Sequence, residues 1–149
     1  MKVFIGADYK GLEKKKLILQ LLAAGNDDVT DCGVYEYREG DDFNDPAVAV
    51  AKAVRENLGS FGILICGSGH GMTIQANRFK GIRATLCDSL DSVISARKHD
   101  DANVLCLSSD RVSDDETKKI VDLFLTTDFE PLERRVRRMN RLDEREDYA

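Results

Sequence analysis

The fold of this chain is constrained most strongly by its alternation of short, continuous apolar runs with segments of helical periodicity. The apolar runs are residues 3–5, 29–32, 61–66, 83–87 and 104–107. Such runs, separated by helices, are typical of parallel strands that are covered on both faces. The sequence therefore predicts an α/β protein in which successive βαβ units build a five-stranded parallel sheet.

Helices are predicted between these strands and after the last one. Pro46 is expected to begin a helix, because proline is favoured at a first helical position. The later helices are predicted at about residues 70–79, up to about 98, at about 115–125 and at about 131–147. The chain has 149 residues and no visible linker or repeat, so residues 1–149 are expected to form one domain.

Charge and cysteine content narrow the range of functions. The formal net charge of -5 argues against a general nucleic-acid-binding protein, which needs a basic face. The four cysteines show neither a Cys-x-x-Cys pair nor the spacing of zinc ligands. No signal-peptide pattern is visible, so we expect four reduced cysteines and a cytoplasmic protein.

Ligands of open parallel sheets bind beyond the carboxyl ends of the strands. The polar residues predicted at that edge are Asp8, Asp88, Ser108 and the segment at residues 66–71. The polar loop at residues 35–45 is long enough to cover a substrate, although a solvated surface loop would have the same composition.

Three glycines, Gly67, Gly69 and Gly71, lie between the third strand and the next helix. Such a loop exposes backbone N–H groups that favour an anion. One candidate anion is a dinucleotide pyrophosphate, since Asp88 follows about twenty residues later, but Met72 stands where the third fingerprint glycine belongs. A second candidate is the phosphate of a cysteine phosphatase, although Met72 also occupies the place of its arginine.

The third candidate is the enediolate of an aldose–ketose isomerisation. This reaction needs a base at the sugar carbon and N–H donors directed at the developing oxyanion. Cys66, at the tip of the strand, is the candidate base, and Ser68 could pass or steady the proton. The adjacent helix N-terminus is expected to lower the pKa of the thiol towards neutrality.

A resemblance to a known family is carried by several motifs. They are IGAD at residues 5–8, ICGSGHGMTIQANRF at 65–79, GIRA at 81–84 and RKHDDANVL at 97–105. These motifs resemble the signatures of type B ribose-5-phosphate isomerases and of the related galactose-6-phosphate isomerase subunits. The similarity extends from residue 2 to about residue 142.

The resemblance implies a Rossmann-like three-layer sandwich that forms a homodimer or a dimer of dimers and uses no metal and no cofactor. It implies conversion of ribose 5-phosphate to ribulose 5-phosphate through an enediolate. In this mechanism Cys66 is the base and His99 opens the sugar ring. Arginines of the C-terminal helix, which is expected to pack on a partner subunit, hold the phosphate in the site of that partner. The expected substrate-binding residues are Asp8, Tyr9, Lys10, Gly67, Gly69, Gly71, Asp100, Asn103, Arg111, Arg135 and Arg138.

Departures from the family pattern leave other substrates open. Tyr9 and Lys10 stand in a loop that usually carries a histidine, and Asp100 replaces a common asparagine. Galactose 6-phosphate, allose 6-phosphate and a tetrose phosphate are therefore alternative substrates, and a non-catalytic module that binds a sugar phosphate or nucleotide is the other class. His99 falls at the opposite edge of the predicted sheet, unless its helix is short or a partner subunit brings it round.

Overall fold

The computed structural model describes residues 1–144 of the chain. The strands are β1 (Lys2–Ala7), β2 (Asp28–Asp31), β3 (Phe61–Cys66), β4 (Ala84–Leu86) and β5 (Val104–Ser108). The helices are α1 (Leu12–Ala24), α2 (Asn44–Glu56), α3 (His70–Ala76), α4 (Leu90–Asp100), α5 (Asp114–Thr126) and α6 (Glu133–Asp143). A short 3-10 turn, Tyr9–Gly11, precedes α1. None of the helices within residues 1–144 is long and apolar enough to cross a membrane.

All five strands are parallel and lie in the order β2-β1-β3-β5-β4. From β1 the chain moves to β2 on one side, and it then returns to β3 on the other side. Such a reversal opens a crevice beyond the carboxyl ends of β1 and β3. Ala7 pairs with Ile65 at the ends of β1 and β3, so the loops that follow these strands flank the crevice.

Helices cover both faces of the sheet. Side chains alternate between the faces along each strand, so that Ile63 and Ile65 pack with α1, α4 and α5, whereas Leu64 and Cys66 pack with α2 and α3. The predicted three-layer α/β sandwich with a five-stranded parallel sheet is therefore confirmed. Cys66 lies in the layer that contains α2 and α3.

Several predicted boundaries differ from the observed ones. Helix α2 begins at Asn44, two residues before Pro46, which still fits because N–H groups of the first helical turn have no partner within the helix. Helix α4 continues to Asp100, beyond the predicted end near residue 98. The last helix was predicted at about residues 131–147; α6 ends at Asp143, and residues 145–147 lie outside the described part of the chain.

Candidate active site

The crevice beyond β1 and β3 brings two predicted site residues together. Asp8 follows β1, and its backbone N–H donates to the carbonyl oxygen of Ile65 at 3.1 Å. The Asp8 carboxylate accepts the N–H of Gly11 at 3.0 Å and thereby caps the turn before α1. Burial raises the pKa of Asp8, which faces the end of β3 where Cys66 lies.

The glycine loop, residues 67–71, is held against its neighbours by close contacts that only glycine allows. Gly69 has φ of +80°, and a Cβ there would lie 2.4 Å from Cδ1 of Leu86. A Cβ on Gly71 would lie 2.6 Å from the Phe43 ring. The glycines therefore permit tight packing as well as exposed N–H groups.

Strand β5 fixes the glycine loop from the other side. The Ser108 hydroxyl donates to the carbonyl oxygen of Gly67 at 2.6 Å. The N–H of Ser109 donates to the carbonyl oxygen of Cys66 at 2.9 Å. Within residues 1–144 the buried Ser109 hydroxyl has no hydrogen-bond partner, so a polar group is available at the rim of the crevice.

The Cys66 thiol is buried, with 4% of the residue exposed, and its Sγ accepts the N–H of Gly69 at 3.0 Å. Burial raises the pKa of Cys66, and the nearby Asp8 carboxylate raises it further, whereas backbone N–H groups of the glycine loop and α3 lower it. Burial has the larger effect. The predicted lowering of the thiol pKa is therefore wrong, because α3 has only seven residues and the thiol is withdrawn from water.

Ser68 lies on the exposed side of the glycine loop. Its hydroxyl accepts the N–H of His70 at 3.3 Å, at the start of α3. This contact lies just before α3 and leaves the hydroxyl facing solvent beside the crevice. A role in passing the proton stays a prediction.

The turn after β1 contributes Lys10 and Tyr9 to the rim. A Cβ on Gly67 would lie 2.8 Å from Cδ of Lys10 and 3.2 Å from Oδ2 of Asp110, so both side chains flank the glycine loop. An adjoining cleft of about 530 Å³ is lined by Lys10, Ser109 and Asp110 among others. The Tyr9 ring contacts Tyr37 edge to face, with a centroid distance of 5.0 Å.

The loop between β2 and α2 folds over the glycine loop. Tyr37 contacts Tyr9, Phe43 lies against Gly71, and the Asn44 amide donates to the Gln75 side chain at 2.8 Å. These contacts place the loop beside the crevice, and covering of the substrate stays a prediction. Phe43 belongs to the predicted loop, but its contact with Gly71 could not be predicted, because that contact depends on the path of the whole loop.

His99 and Asp100 lie at the other end of the sheet. Both are exposed at the end of α4, just before the amino end of β5, whereas Cys66 pairs with Ser108 at the carboxyl end of β5. At about 3.3 Å per residue, β5 separates the two ends by on the order of 13 Å. A single chain therefore does not bring His99 to Cys66.

Asn103 uses its side-chain amide within the fold. Its Oδ1 accepts the N–H of Arg83 at 2.8 Å, and its Nδ2 donates to the carbonyl oxygen of Gly81 at 2.8 Å. These contacts brace the connection into β4. They favour a structural role over the expected contact with substrate.

The three predicted arginines have different surroundings. Arg111 is exposed in the turn after β5, at the same edge as Cys66. Arg135 has a side chain that is 11% exposed, and it donates to Glu130 at 2.6 Å and to the carbonyl oxygen of Lys98 at 3.4 Å. Arg135 therefore ties α6 to α4, whereas Arg138 is exposed and available to a ligand.

The remaining exposed arginines of α6 recur at helical spacing. They are Arg134, Arg137, Arg138 and Arg141. Residues three and four apart share one side of a helix, so these side chains form a basic face on α6.

The comparisons with known proteins assign the chain to a family. The family model described as Ribose/Galactose Isomerase matches residues 3–142. The chain belongs to this family. The matched span contains all the predicted site residues, from Asp8 to Arg138.

Members of the ribose/galactose isomerase family resemble the chain over nearly its full length. A crystal structure of ribose-5-phosphate isomerase B from Mycoplasma genitalium with bound ribulose-5-phosphate has a TM-score of 0.91 and 43% identity, and the match covers 95% of this chain and 93% of that one. A ribose 5-phosphate isomerase from Thermotoga maritima has a TM-score of 0.91 and 38% identity, covering 97% and 98%. Ribose-5-phosphate isomerase B of Mycobacterium tuberculosis is 36% identical over 148 residues, which are 98% of this chain and 90% of that protein.

Proposed function

We propose that this chain is an aldose–ketose isomerase that interconverts ribose 5-phosphate and ribulose 5-phosphate through an enediolate. The observation that carries the proposal is the buried Cys66 thiol, which lies at the crevice between β1 and β3 and accepts the N–H of Gly69. The Mycoplasma genitalium relative, at 43% identity, binds ribulose-5-phosphate. The same substrate class, a phosphorylated sugar, is proposed here.

Cys66 is the proposed base. As a thiolate it would take the proton from C2 of the open-chain aldose and return it to C1. The proton of the C2 hydroxyl would move to the oxygen on C1, so that C2 becomes the ketone carbon and C1 carries the hydroxyl. The backbone N–H groups of Gly67, Gly69 and Gly71 would stabilise the charge that develops on the sugar oxygens. Ser68, on the exposed side of the loop, would steady the transferred proton.

A second copy of the chain is proposed to complete the site. His99 is separated from Cys66 by the length of β5, yet it is exposed and can face another subunit. Helix α6 carries a basic face, and the apolar residues Leu132, just before the helix, and Leu142, within it, are 43% and 44% exposed. A homodimer, or a dimer of dimers, would bury these residues and bring His99 and Arg138 into the crevice of the neighbouring copy.

The roles in the completed site follow from side-chain chemistry. His99 suits proton transfer to the ring oxygen during ring opening, because an imidazole can both donate and accept a proton. Arg138 and Arg111 would hold the phosphate as charge-assisted hydrogen-bond donors. Asp8, Tyr9, Lys10 and Asp100 would contact the sugar or its phosphate.

The proposal extends to organisation and location. Residues 1–149 form one domain, supported by a single sheet whose two faces are both covered. A cytoplasmic location is supported by the four free cysteines, which suit a reducing compartment.

The test is incubation of the protein with ribose 5-phosphate in heavy water. An isomerase yields ribulose 5-phosphate with solvent deuterium at C1. Binding of the sugar phosphate without conversion or deuterium uptake would instead indicate a non-catalytic module.

Lys10 and Tyr9 favour a second candidate substrate. Lys10 lies over Gly67 and Tyr9 contacts Tyr37, so the rim carries a flexible cation and an aromatic pair. A lysine holds a phosphate with less geometric control than an arginine fork does. A site with such a lysine can therefore accept an aldose phosphate whose carbon chain is longer or shorter than that of ribose 5-phosphate. We expect kcat/KM for an allose, galactose or tetrose phosphate to equal or exceed that for ribose 5-phosphate; a wide margin for ribose 5-phosphate would contradict this preference.

A further inference from the structure

Arg83, just before β4, connects two elements that the proposed site takes from a second subunit. Its Nε donates to the carbonyl oxygen of Asp101 at 2.8 Å, and its Nη2 donates to Oδ2 of Asp101 at 3.0 Å. Its Nη1 donates to Oδ2 of Asp143 at 3.3 Å. One side chain therefore touches both the end of α4 and the end of α6.

Asp101 fixes the end of the helix that carries His99. It lies two residues after His99 and has a left-handed backbone, with φ of 45° and ψ of 45°. Its other carboxylate oxygen, Oδ1, accepts Nη1 of Arg97 at 3.0 Å. Two arginines thus hold this carboxylate from opposite sides, and the last turn of α4 has little freedom to rotate.

Arg97, the second of these arginines, is buried among aromatic rings. Its side chain is 7% exposed, and its guanidinium lies 4.9 Å from the Phe61 ring centroid and 5.7 Å from that of Phe124. Arg83, whose side chain is 18% exposed, is the arginine that connects Asp101 at the end of α4 to a second helix, α6.

Asp143 is the last residue of α6 and joins this helix to Arg83 through an ion pair. The other end of α6 is tied to α4 through Arg135, Glu130 and Lys98. Since α6 is attached at both ends, the ion pair between Arg83 and Asp143 determines how the helix lies across the end of α4. That orientation directs the basic face of α6.

We propose that Arg83 is a positioning residue that orients His99 through Asp101 and orients the basic face of α6 through Asp143. The inference rests on the proposed function, because it assumes that His99 opens the sugar ring and that α6 arginines hold the phosphate. An arginine is required at this position, because a planar fork can donate to two carboxylates and a carbonyl at once.

The two ion pairs of Arg83 are expected to affect different steps, ring opening for Asp101 and phosphate binding for Asp143, so that their effects can be measured separately. Ribose 5-phosphate is mostly cyclic and must be opened, whereas ribulose 5-phosphate cannot close a five-membered ring because its O5 carries the phosphate. Deuterium uptake at C1 of ribulose 5-phosphate therefore reports proton transfer without ring opening. The KM for either sugar reports how well the phosphate is held.

The experiment compares the full-length wild-type protein with Asp101→Asn, Asp143→Asn, Arg83→Gln and Arg83→Lys. Asp101→Asn should lower kcat for ribose 5-phosphate by about ten- to a hundredfold, as misplaced reacting groups do, while C1 exchange on ribulose 5-phosphate stays within about twofold. Asp143→Asn should raise KM for both sugars by about two- to fivefold, the size expected from a partly exposed ion pair, with kcat unchanged. Arg83→Gln should show both effects, and Arg83→Lys should not restore wild-type values.

Two further variants keep the test decisive. Asp101→Gly is compatible with the left-handed backbone and removes the carboxylate that both arginines hold, so it replaces Asp101→Asn if the latter does not fold. Asp27→Asn breaks an ion pair with the amino terminus at the other edge of the sheet and should change neither reaction.

Equal losses in both reactions, or a lower Tm with unchanged kinetics, would overturn the inference and leave Arg83 a structural residue. Full rescue by Arg83→Lys would also overturn it. If the wild-type protein isomerises neither sugar, both the proposed function and this inference are overturned. If the wild type is active but each variant loses both reactions equally, only this inference is overturned.

Discussion

At the scale of single residues, the reactivity of Cys66 depends on a conflict between burial and hydrogen bonding. Burial raises the pKa of this thiol, and the N–H of Gly69 only partly offsets the rise. The folded chain therefore favours the thiol over the thiolate. This contribution to stability is present at low pH and is lost as pH rises through the pKa of the folded state.

The pH dependence of activity should show this conflict. Because the thiolate is the proposed base, kcat/KM for ribose 5-phosphate should rise through neutral pH and not level off below the ordinary thiol pKa of roughly 8.5. The measurement is a pH profile of the wild type between pH 6 and about 9.5, the range over which such a thiol titrates. A plateau already reached near pH 7 would contradict the raised pKa.

Gly69 offers a second test at this scale. Gly69→Ala would place a Cβ at φ of +80° and 2.4 Å from Leu86, whereas Gly81→Ala would meet the same φ of +80° with nothing within 4 Å. The left-handed backbone costs about 1–2 kcal/mol in either variant. Gly69→Ala should therefore be the less stable of the two in denaturant unfolding and should also lose activity, because it displaces the N–H that Cys66 accepts. Equal stability of the two variants would show that the loop yields to the added methyl group.

At the scale of secondary-structure elements, the loop between β2 and α2 is the part of the crevice that rests on few contacts. Phe43 covers Gly71 with a ring that is 37% exposed. Phe43→Ala should raise KM for ribose 5-phosphate by several-fold and leave Tm within a few degrees of wild type, since the residue belongs to neither core cluster. Steady-state kinetics and thermal unfolding give both values, with Tyr35→Ala, an exposed change in the same loop, as the control. An unchanged KM would mean that the loop does not cover the substrate.

The elements were largely predictable from the sequence, because continuous apolar runs mark buried parallel strands. Strand β3 was predicted at its observed bounds, whereas β2 begins one residue earlier and α4 ends two residues later than predicted. Cys66 and the glycine loop could be found because strand, glycines and helix are adjacent along the chain. The raised pKa of Cys66 could not be predicted, because it depends on burial by residues that are distant in sequence. The ion pair of Arg135 could not be predicted either, because its partner Glu130 lies in a connection with no periodic pattern.

At the scale of the whole molecule, the proposed site requires two copies of the chain, since His99 and Cys66 lie at opposite ends of β5. Mixing Cys66→Ala subunits with His99→Asn subunits tests this directly. Each variant alone lacks one residue in every site, but a shared-site heterodimer has one intact site. Random exchange should restore about a quarter of wild-type activity, because half of the dimers are mixed and each has one intact site of two. Sites formed within one chain would give no restoration, and mass spectrometry of the mixture checks that heterodimers formed.

The proton transfer assigned to Cys66 is tested most directly by deuterium uptake at C1 of ribulose 5-phosphate in heavy water, because this step needs neither ring opening nor His99. Wild type and Cys32→Ala, which removes a half-buried thiol outside the crevice, should exchange at similar rates. Cys66→Ala should exchange about 10²–10⁴-fold more slowly, the usual contribution of a general base, with an unchanged circular dichroism spectrum. Exchange by folded Cys66→Ala at a rate close to wild type would contradict the assignment of Cys66 as the base.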